Sequence, residues 1–277
     1  MPDQLLHKFI YVLFSAFTEF LPVSPRAHQI LYELLTGFQM TDKMVTLSIH
    51  IGVFVALIIN NKKRIQHLVR ANRLARYARR HRNTHVDTTA ILDTRVLKTT
   101  IVPVLIGLLF LRKAEGWIGS LAMLALMLTI NGFIIFLPRI MLRGNKDGRN
   151  LSRLDSVIMG IGGGLGVIPG FSRMGGILSG GQIRGVDRSY AMDVALLASI
   201  PALLGLIIID LFAVIAAKAT ISALAWLCYL IMAIIAFGIG YLAVLFLRYL
   251  CAKASFTRFS YYSWGMAMFA FMIYLLI

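Results

Sequence analysis

The sequence predicts an all-α, polytopic integral membrane protein. It has six transmembrane helices and two oppositely oriented re-entrant helical hairpins, related as an inverted repeat. Three observations predict this. The 277 residues are 58% hydrophobic and only 14% charged, a balance foreign to a water-soluble domain. Apolar runs long enough to span a bilayer recur as far as Ile277. Two runs are also broken in the same order by proline, serine and arginine, at Glu19-Phe20-Leu21-Pro22-Val23-Ser24-Pro25-Arg26-Ala27-His28 and at Ile168-Pro169-Gly170-Phe171-Ser172-Arg173-Met174-Gly175-Gly176.

Residues 5–37 are apolar but interrupted by Pro22, Pro25, Arg26 and His28, which predicts a short helix, a turn and a second short helix. Spans follow at about 44–60, 97–112 and 119–138. Residues 154–182 are broken by Pro169, Gly170, Arg173 and a glycine cluster, and read as a second hairpin. Three more spans, at about 190–217, 221–247 and 260–277, complete the chain. Irregular backbone at membrane depth survives only inside protein or against a water-filled cavity, so the broken segments mark an interior. The whole chain, 1–277, reads as a single membrane domain. Its start lacks a basic stretch and a small-residue cleavage site, so the first run is not read as a cleaved leader.

The formal net charge of +16 sits between the apolar runs. Lys62, Lys63, Arg64, Arg70, Arg73, Arg76, Arg79, Arg80 and Arg82 form one tract, in a segment at 61–96 read as a basic cytoplasmic loop. The three-residue spacing from Arg70 to Arg79 also suits one face of a helix. Arg139, Arg143, Lys146, Arg149 and Arg153 form a second tract, and Arg248, Lys253 and Arg258 a third. Loops held beside anionic lipid explain these tracts far better than nucleic-acid binding, which is not expected. With the spans above, all three fall on one side, read as cytoplasmic, and both termini lie outside. The hairpins then enter from opposite faces, and their tips meet near the midplane.

Arg173 is the sharpest chemical signal. A guanidinium among glycines at a helix break offers a planar fork of donors suited to phosphate. Gly175 and Gly176 allow backbone N–H groups to approach the same anion, or simply allow close helix packing. His28 is a candidate acid or base and Glu19 its partner or a ligand for a divalent cation. Ser24 and Ser172 serve equally well as phosphate contacts or helix caps. Arg26 either clamps phosphate or pairs with Glu19. Asp193 is expected to pair with Arg173 or Arg188. His50 and Asp210, also in apolar surroundings, read as hydrogen-bonded structure. Cys228 and Cys251 read as packing residues, with no metal spacing or disulfide framework.

These segments resemble the undecaprenyl-diphosphatase family of the bacitracin-resistance type. The resemblance rests on Thr18-Glu19-Phe20-Leu21-Pro22-Val23-Ser24 with His28, and on Pro169-Gly170-Phe171-Ser172-Arg173 with Gly175 and Ser179-Gly180-Gly181. Further echoes are Ile49-His50-Ile51-Gly52, Gly185-Val186-Asp187-Arg188 and Ser199-Ile200-Pro201-Ala202. It implies the six-span, two-hairpin fold. It also implies a location in the bacterial inner (cytoplasmic) membrane and hydrolysis of undecaprenyl diphosphate to the monophosphate at the outer face of that membrane, which recycles the carrier lipid for cell-wall glycans. A divalent cation, magnesium or calcium, is implied as cofactor, with Glu19 a candidate ligand. The resemblance supports catalytic roles for Glu19, His28 and Arg173, and the chemistry of the residues themselves makes Ser24, Arg26, Ser172, Gly175 and Gly176 candidates for contact with the substrate.

The chain also departs from the family's pattern. Ser15 stands for a usual glutamate, and Ser24-Pro25-Arg26-Ala27-His28 for Ser-Ser-Thr-Gly-His. Gly163 stands for a usual glutamine, Met174, Gly176 and Ile177 for Ser, Ala and Thr, and Asp193 for a glutamate. A transporter moving a polyprenyl phosphate without hydrolysing it is the alternative reading, and an assembly partner a third. The sequence leaves oligomeric state open, a homo-oligomer included.

Overall fold

The computed structural model describes residues 2–80, 88–117, 119–217, 222–253 and 256–276. Among these residues the secondary structure is helical, apart from a single bridge between Lys146 and Val186. The first broken segment forms α1 (Pro2–Thr18) and α2 (Pro25–Thr36). Then come α3 (Lys43–Arg80), α4 (Thr88–Leu109), the short α5 (Leu111–Trp117) and α6 (Leu121–Ile140). The second broken segment forms α7 (Arg153–Gly164), a 3₁₀ turn at Leu165–Val167 and α8 (Arg173–Ile183). The long helices α9 (Arg188–Ala217) and α10 (Ala223–Ala252) precede a second 3₁₀ turn and α11 (Phe259–Leu276).

Among the described residues, five helical stretches are long and apolar enough to cross a membrane: Lys43–Tyr77, Leu121–Ile140, Arg188–Ala217, Ala223–Ala252 and Phe256–Leu276. The run predicted at 97–112 falls in α4, which starts earlier, at Thr88, and ends at Leu109. Its first half carries Asp93, Arg95 and Lys98. Asp93 is tied to Arg64 at 3.0 Å and to the Tyr190 hydroxyl at 2.8 Å. The predicted limits at 221 and 277, and Arg82 of the first basic tract, lie outside the described residues.

The segment read as a loop at 61–96 is helix as far as Arg80 and helix again from Thr88. The cause is an apolar stripe inside the basic tract. Ile65, Leu68, Ala71 and Ala75 recur at helical spacing, and Leu68 and Ala71 join a small core with Ala90 and Leu197. Arginine, lysine, leucine and alanine also favour helix, so α3 continues well past its apolar half.

The basic tracts gather at one end of the bundle. Arg248 donates to the Asn61 side chain at 2.8 Å, and Arg95 reaches the Leu151 carbonyl at 3.4 Å. Asp155 receives Arg184 at 2.7 Å and Lys146 at 3.3 Å. Asp193 pairs with Arg248 at 3.4 Å, not with Arg173 or Arg188. It sits one turn into α9 at this end, where α10 finishes, whereas Arg173 belongs to a turn deep in the bundle. Arg188 instead reaches the Cys251 carbonyl at 3.5 Å. Cys251 is buried and Cys228 half-buried, both free thiols.

The opposite end is held by different contacts. Lys8 pairs with Asp42, which also accepts from the Tyr229 hydroxyl at 2.9 Å. His7 lies 2.6 Å from the Tyr32 hydroxyl and stacks on Phe38. The open end of the α1–α2 hairpin therefore sits here, while the open end of α7–α8 sits among the basic residues. One core cluster joins them, running through Tyr11 and Phe20 on one side, Met159, Met174 and Ile177 on the other, and the long helices between.

Candidate functional site

The turns of the two hairpins meet. The Gly170 N–H donates to Ser24 Oγ at 3.0 Å, and Ser172 Oγ donates to the Leu21 carbonyl at 3.2 Å. Each serine also caps its own helix. Ser24 Oγ accepts from the Ala27 N–H at 3.3 Å, and Ser172 Oγ from the Gly175 N–H at 3.0 Å. A proline follows one cap and an arginine the other, so α2 and α8 both begin at the junction with their positive dipole ends inward. Gly170 has a φ of 102°, and a Cβ there would stand 2.5 Å from that of Met127. Only glycine fits that turn without strain.

Across this junction Arg173 Nη2 forms an ion pair with Glu19 Oε1. Both side chains are largely buried, at 12% and 10% exposure. The Arg173 Nε donor is buried without a partner among the described residues. A half-satisfied guanidinium at two helix N-termini is an environment that attracts an anion.

Glu19 and Arg173 line a cavity of about 360 Å³, a size suited to a lipid headgroup. Arg26 lines it too, 3.3 Å from Gln29 Oε1 and 4.0 Å from Glu33. Arg26 thus pairs with Glu33 rather than with Glu19. The cavity wall carries Arg26, Lys43 and Arg173 against Glu19, Glu33 and Asp210, together with His50. Val104, Leu108 and Leu206 supply apolar surface.

Other predicted residues stand elsewhere. The Gly175 N–H is taken by the cap, and the Gly176 N–H donates to the Ser172 carbonyl at 2.8 Å. A Cβ on Gly176 would lie 2.0 Å from the Gly162 carbonyl oxygen. Gly176 is therefore where α8 and α7 touch backbone to backbone, Gly175 packs toward Ile135 of α6, and neither holds an N–H toward the cavity. Ser24 and Ser172 are buried caps. His28 does not line the cavity. Its Nδ1–H donates to the Ser24 carbonyl at 2.6 Å, and its Nε2 accepts from the Tyr262 hydroxyl at 2.6 Å. The two rings stack 5.7 Å apart. His28 thus fastens the start of α2 to α11.

Three residues gain importance that local sequence did not give them. His50 and Asp210 form a pair on the cavity wall, with Nδ1 and Oδ2 at 2.5 Å. Asn131 on α6 is buried and uses both ends of its amide. Its Oδ1 accepts from the Ser172 N–H at 2.9 Å, and its Nδ2 donates to Ser263 Oγ at 3.2 Å. A lone amide or charge inside an apolar run was the available signal.

Among the described residues no three His, Cys, Asp or Glu side chains group to hold a metal ion. Hard divalent cations often take one or two protein carboxylates and complete their shell with substrate phosphate and water. Glu19 fits such a partial site.

Comparison with known proteins matches residues 8–269 to a family model described as bacitracin resistance protein BacA. A protein of Methanobrevibacter smithii named undecaprenyl-diphosphatase is 30% identical, over 97% of each chain. One of Carboxydothermus hydrogenoformans with the same name is 29% identical, over 91% of this chain and 90% of its own. One of Halothermothrix orenii is 25% identical, over 91% of each.

Proposed function

Because the chain belongs to the bacitracin resistance protein BacA family, we propose that it is a membrane phosphatase. It hydrolyses undecaprenyl diphosphate to undecaprenyl phosphate and phosphate, returning a lipid carrier to cell-wall synthesis. The observation that carries this reading is the Arg173–Glu19 ion pair, which joins the start of α8 to the turn after α1 on the wall of a cavity of headgroup size.

Arg173 and Arg26 bind the diphosphate, and substrate phosphate takes over part of the contact that Arg173 makes with Glu19. Glu19 holds a magnesium or calcium ion, which supplies charge neutralisation when bound. Ser24, Ser172 and Asn131 fix the two turns so that the guanidinium does not reorganise during reaction, and such preorganisation is a large part of catalysis. The prenyl chain leaves the cavity between helices into the bilayer. The hairpins are re-entrant, with α4 as the sixth crossing. The basic end is cytoplasmic by the positive-inside rule, and the cavity, which reaches the 39–43 segment at the other end, opens outward. A transporter that leaves the phosphoanhydride intact is not favoured, since the relatives are named for the hydrolase.

Phosphate release from undecaprenyl diphosphate by purified protein tests the reading, with and without magnesium or calcium. Arg173→Ala is expected to lower turnover by roughly a hundredfold or more. Release by the wild type no greater than by Arg173→Ala, in any of these conditions, would sink it.

A further inference from the structure

Among the described residues, the two glutamates on the first hairpin that line the cavity each face a cation. Glu19 is held by Arg173, and Glu33 faces Arg26. Hydrolysis also needs a group that accepts a proton from the attacking water. The two histidines near the junction differ in their freedom to do so. Both ring nitrogens of His28 are engaged, and its ring lies outside the cavity wall. His50 is on the wall, with its Nδ1 on Asp210 and no hydrogen-bond partner for its Nε2 among the described residues. The two side chains keep 19% and 15% exposure, so the pair is reachable from the cavity without being open to bulk water.

We propose that His50 is the proton-transfer group of the hydrolysis and that Asp210 is its positioning residue. This rests on the phosphatase reading. Asp210 accepts the Nδ1–H, which fixes the tautomer and leaves the Nε2 lone pair facing the cavity. Water attacks the terminal phosphorus and gives its proton to Nε2. The bond from that phosphorus to the bridging oxygen breaks, and its electron pair stays on the prenyl monophosphate. The imidazolium then releases the proton to the departing phosphate or to water. The products are prenyl monophosphate and inorganic phosphate, and no other reactant is consumed.

The bland account is a bolt between α3 and α9. It fits the pair less well. Asp210 follows Ile207, Ile208 and Ile209 and precedes Leu211 and Phe212. An ionic link in such surroundings stabilises little relative to apolar packing, and a bolt does not need a free ring nitrogen on a cavity wall. Both residues also lie about 10 Å inward of their helix ends at Lys43 and Ala217, from seven residues at 1.5 Å each. That places them along the cavity and not at its rim.

The other ionisable groups on the wall are Tyr11 on α1, Arg26 and Glu33 on α2, Glu19, Lys43 and Arg173. Helix α4 contributes only apolar side chains to it, and α10 none of the described lining. A pH profile that changes with His50 therefore has to be separated from these groups by mutation.

Kinetics of phosphate release from undecaprenyl diphosphate, from about pH 5 to 9, supply the test, with wild type, His50→Gln, Asp210→Asn and Arg173→Ala in parallel. His50→Gln is expected to lower kcat about a hundredfold with little change in KM, and to lose the acid limb of the profile. Asp210→Asn is expected to lower kcat less and to shift that limb. Added imidazole is expected to restore part of the activity of His50→Gly, a rescue that no bolt would show, even where a variant is less stable. An active wild type with His50→Gln at the same kcat and the same profile overturns the proposal. A wild type no better than Arg173→Ala overturns the phosphatase reading itself, and this one with it.

Discussion

The two hairpins arrive at one junction from opposite ends of the bundle, but they are built differently. In α7–α8 the helices touch through glycine, with a hypothetical Cβ on Gly162 only 2.4 Å from the Gly176 carbonyl oxygen. Nothing but backbone fits, and a single functional side chain, Arg173, projects from it. In α1–α2 the helices are held apart by rings, with Tyr11, Phe14 and Tyr32 in mutual contact. Polar side chains from Glu19, Arg26, Gln29 and Glu33 then line the cavity. One hairpin is a rigid post, the other a wall whose lining can be exchanged. The departures from the family's pattern at Ser15, Pro25, Arg26 and Ala27 fall on the first hairpin and those at Gly163, Met174, Gly176 and Ile177 on the second, and Pro25, Arg26 and Gly163 line the cavity.

That contrast can be broken in three ways. The largest effect is expected from Gly176→Leu. Backbone stands where the new side chain must go, and overpacking of that kind costs about 3 kcal/mol or more. Loss of monodisperse protein on size-exclusion in detergent is expected, and a well-behaved variant of wild-type stability would show that the post is not rigid. Next, Arg26→Ala on the wall is expected to leave that elution profile unchanged and to raise KM for undecaprenyl diphosphate roughly tenfold, or about 1.4 kcal/mol. Aggregation of this variant would mean that the first hairpin also depends on its side chains for shape.

The smallest effect concerns the foot of the post, outside the apolar spans. Burial pushes the Asp155 carboxyl up, but Arg184, Ser152 and Lys146 outweigh it and hold the group down at about 2. An unfolded aspartate titrates near 3.8, so this contribution is complete above that pH and is lost as pH falls toward 2. Its partners are partly exposed, which limits it to about 1 kcal/mol. Melting temperature is expected to fall more between about pH 5 and 3 in the wild type than in Asp155→Asn. Parallel curves would remove the carboxylate from the account.

The hairpins were legible because a proline, a serine and an arginine cannot continue an apolar helix unnoticed. Glu19, Arg26 and Arg173 were legible as candidates because charge in such segments is rare. Pairing was not. His50 and Asp210 are 160 residues apart, and neither carries a local sign of the other. Asn131 gave no sign that it would hold the α8 cap, since that contact crosses 41 residues. His28 sat in the right segment, but a turn of helix separates a ring that faces a cavity from one that faces a neighbouring helix. The extension of α3 to Arg80 was visible only as the spacing of its arginines. An apolar stripe of small residues is a weak signal beside so much charge.

Each turn is finished by the other, since Ser24 receives the Gly170 N–H and Ser172 reaches Leu21. The donor and acceptor of the first of these bonds are 146 residues apart. At 5–20 residues per second, the earlier segment leaves the ribosome roughly 7 to 30 s before its complement exists. During that interval its open polar turn has to be sheltered at the lipid surface or by the insertion machinery. Completion of the site is therefore a late event in biogenesis, set by synthesis of the second half.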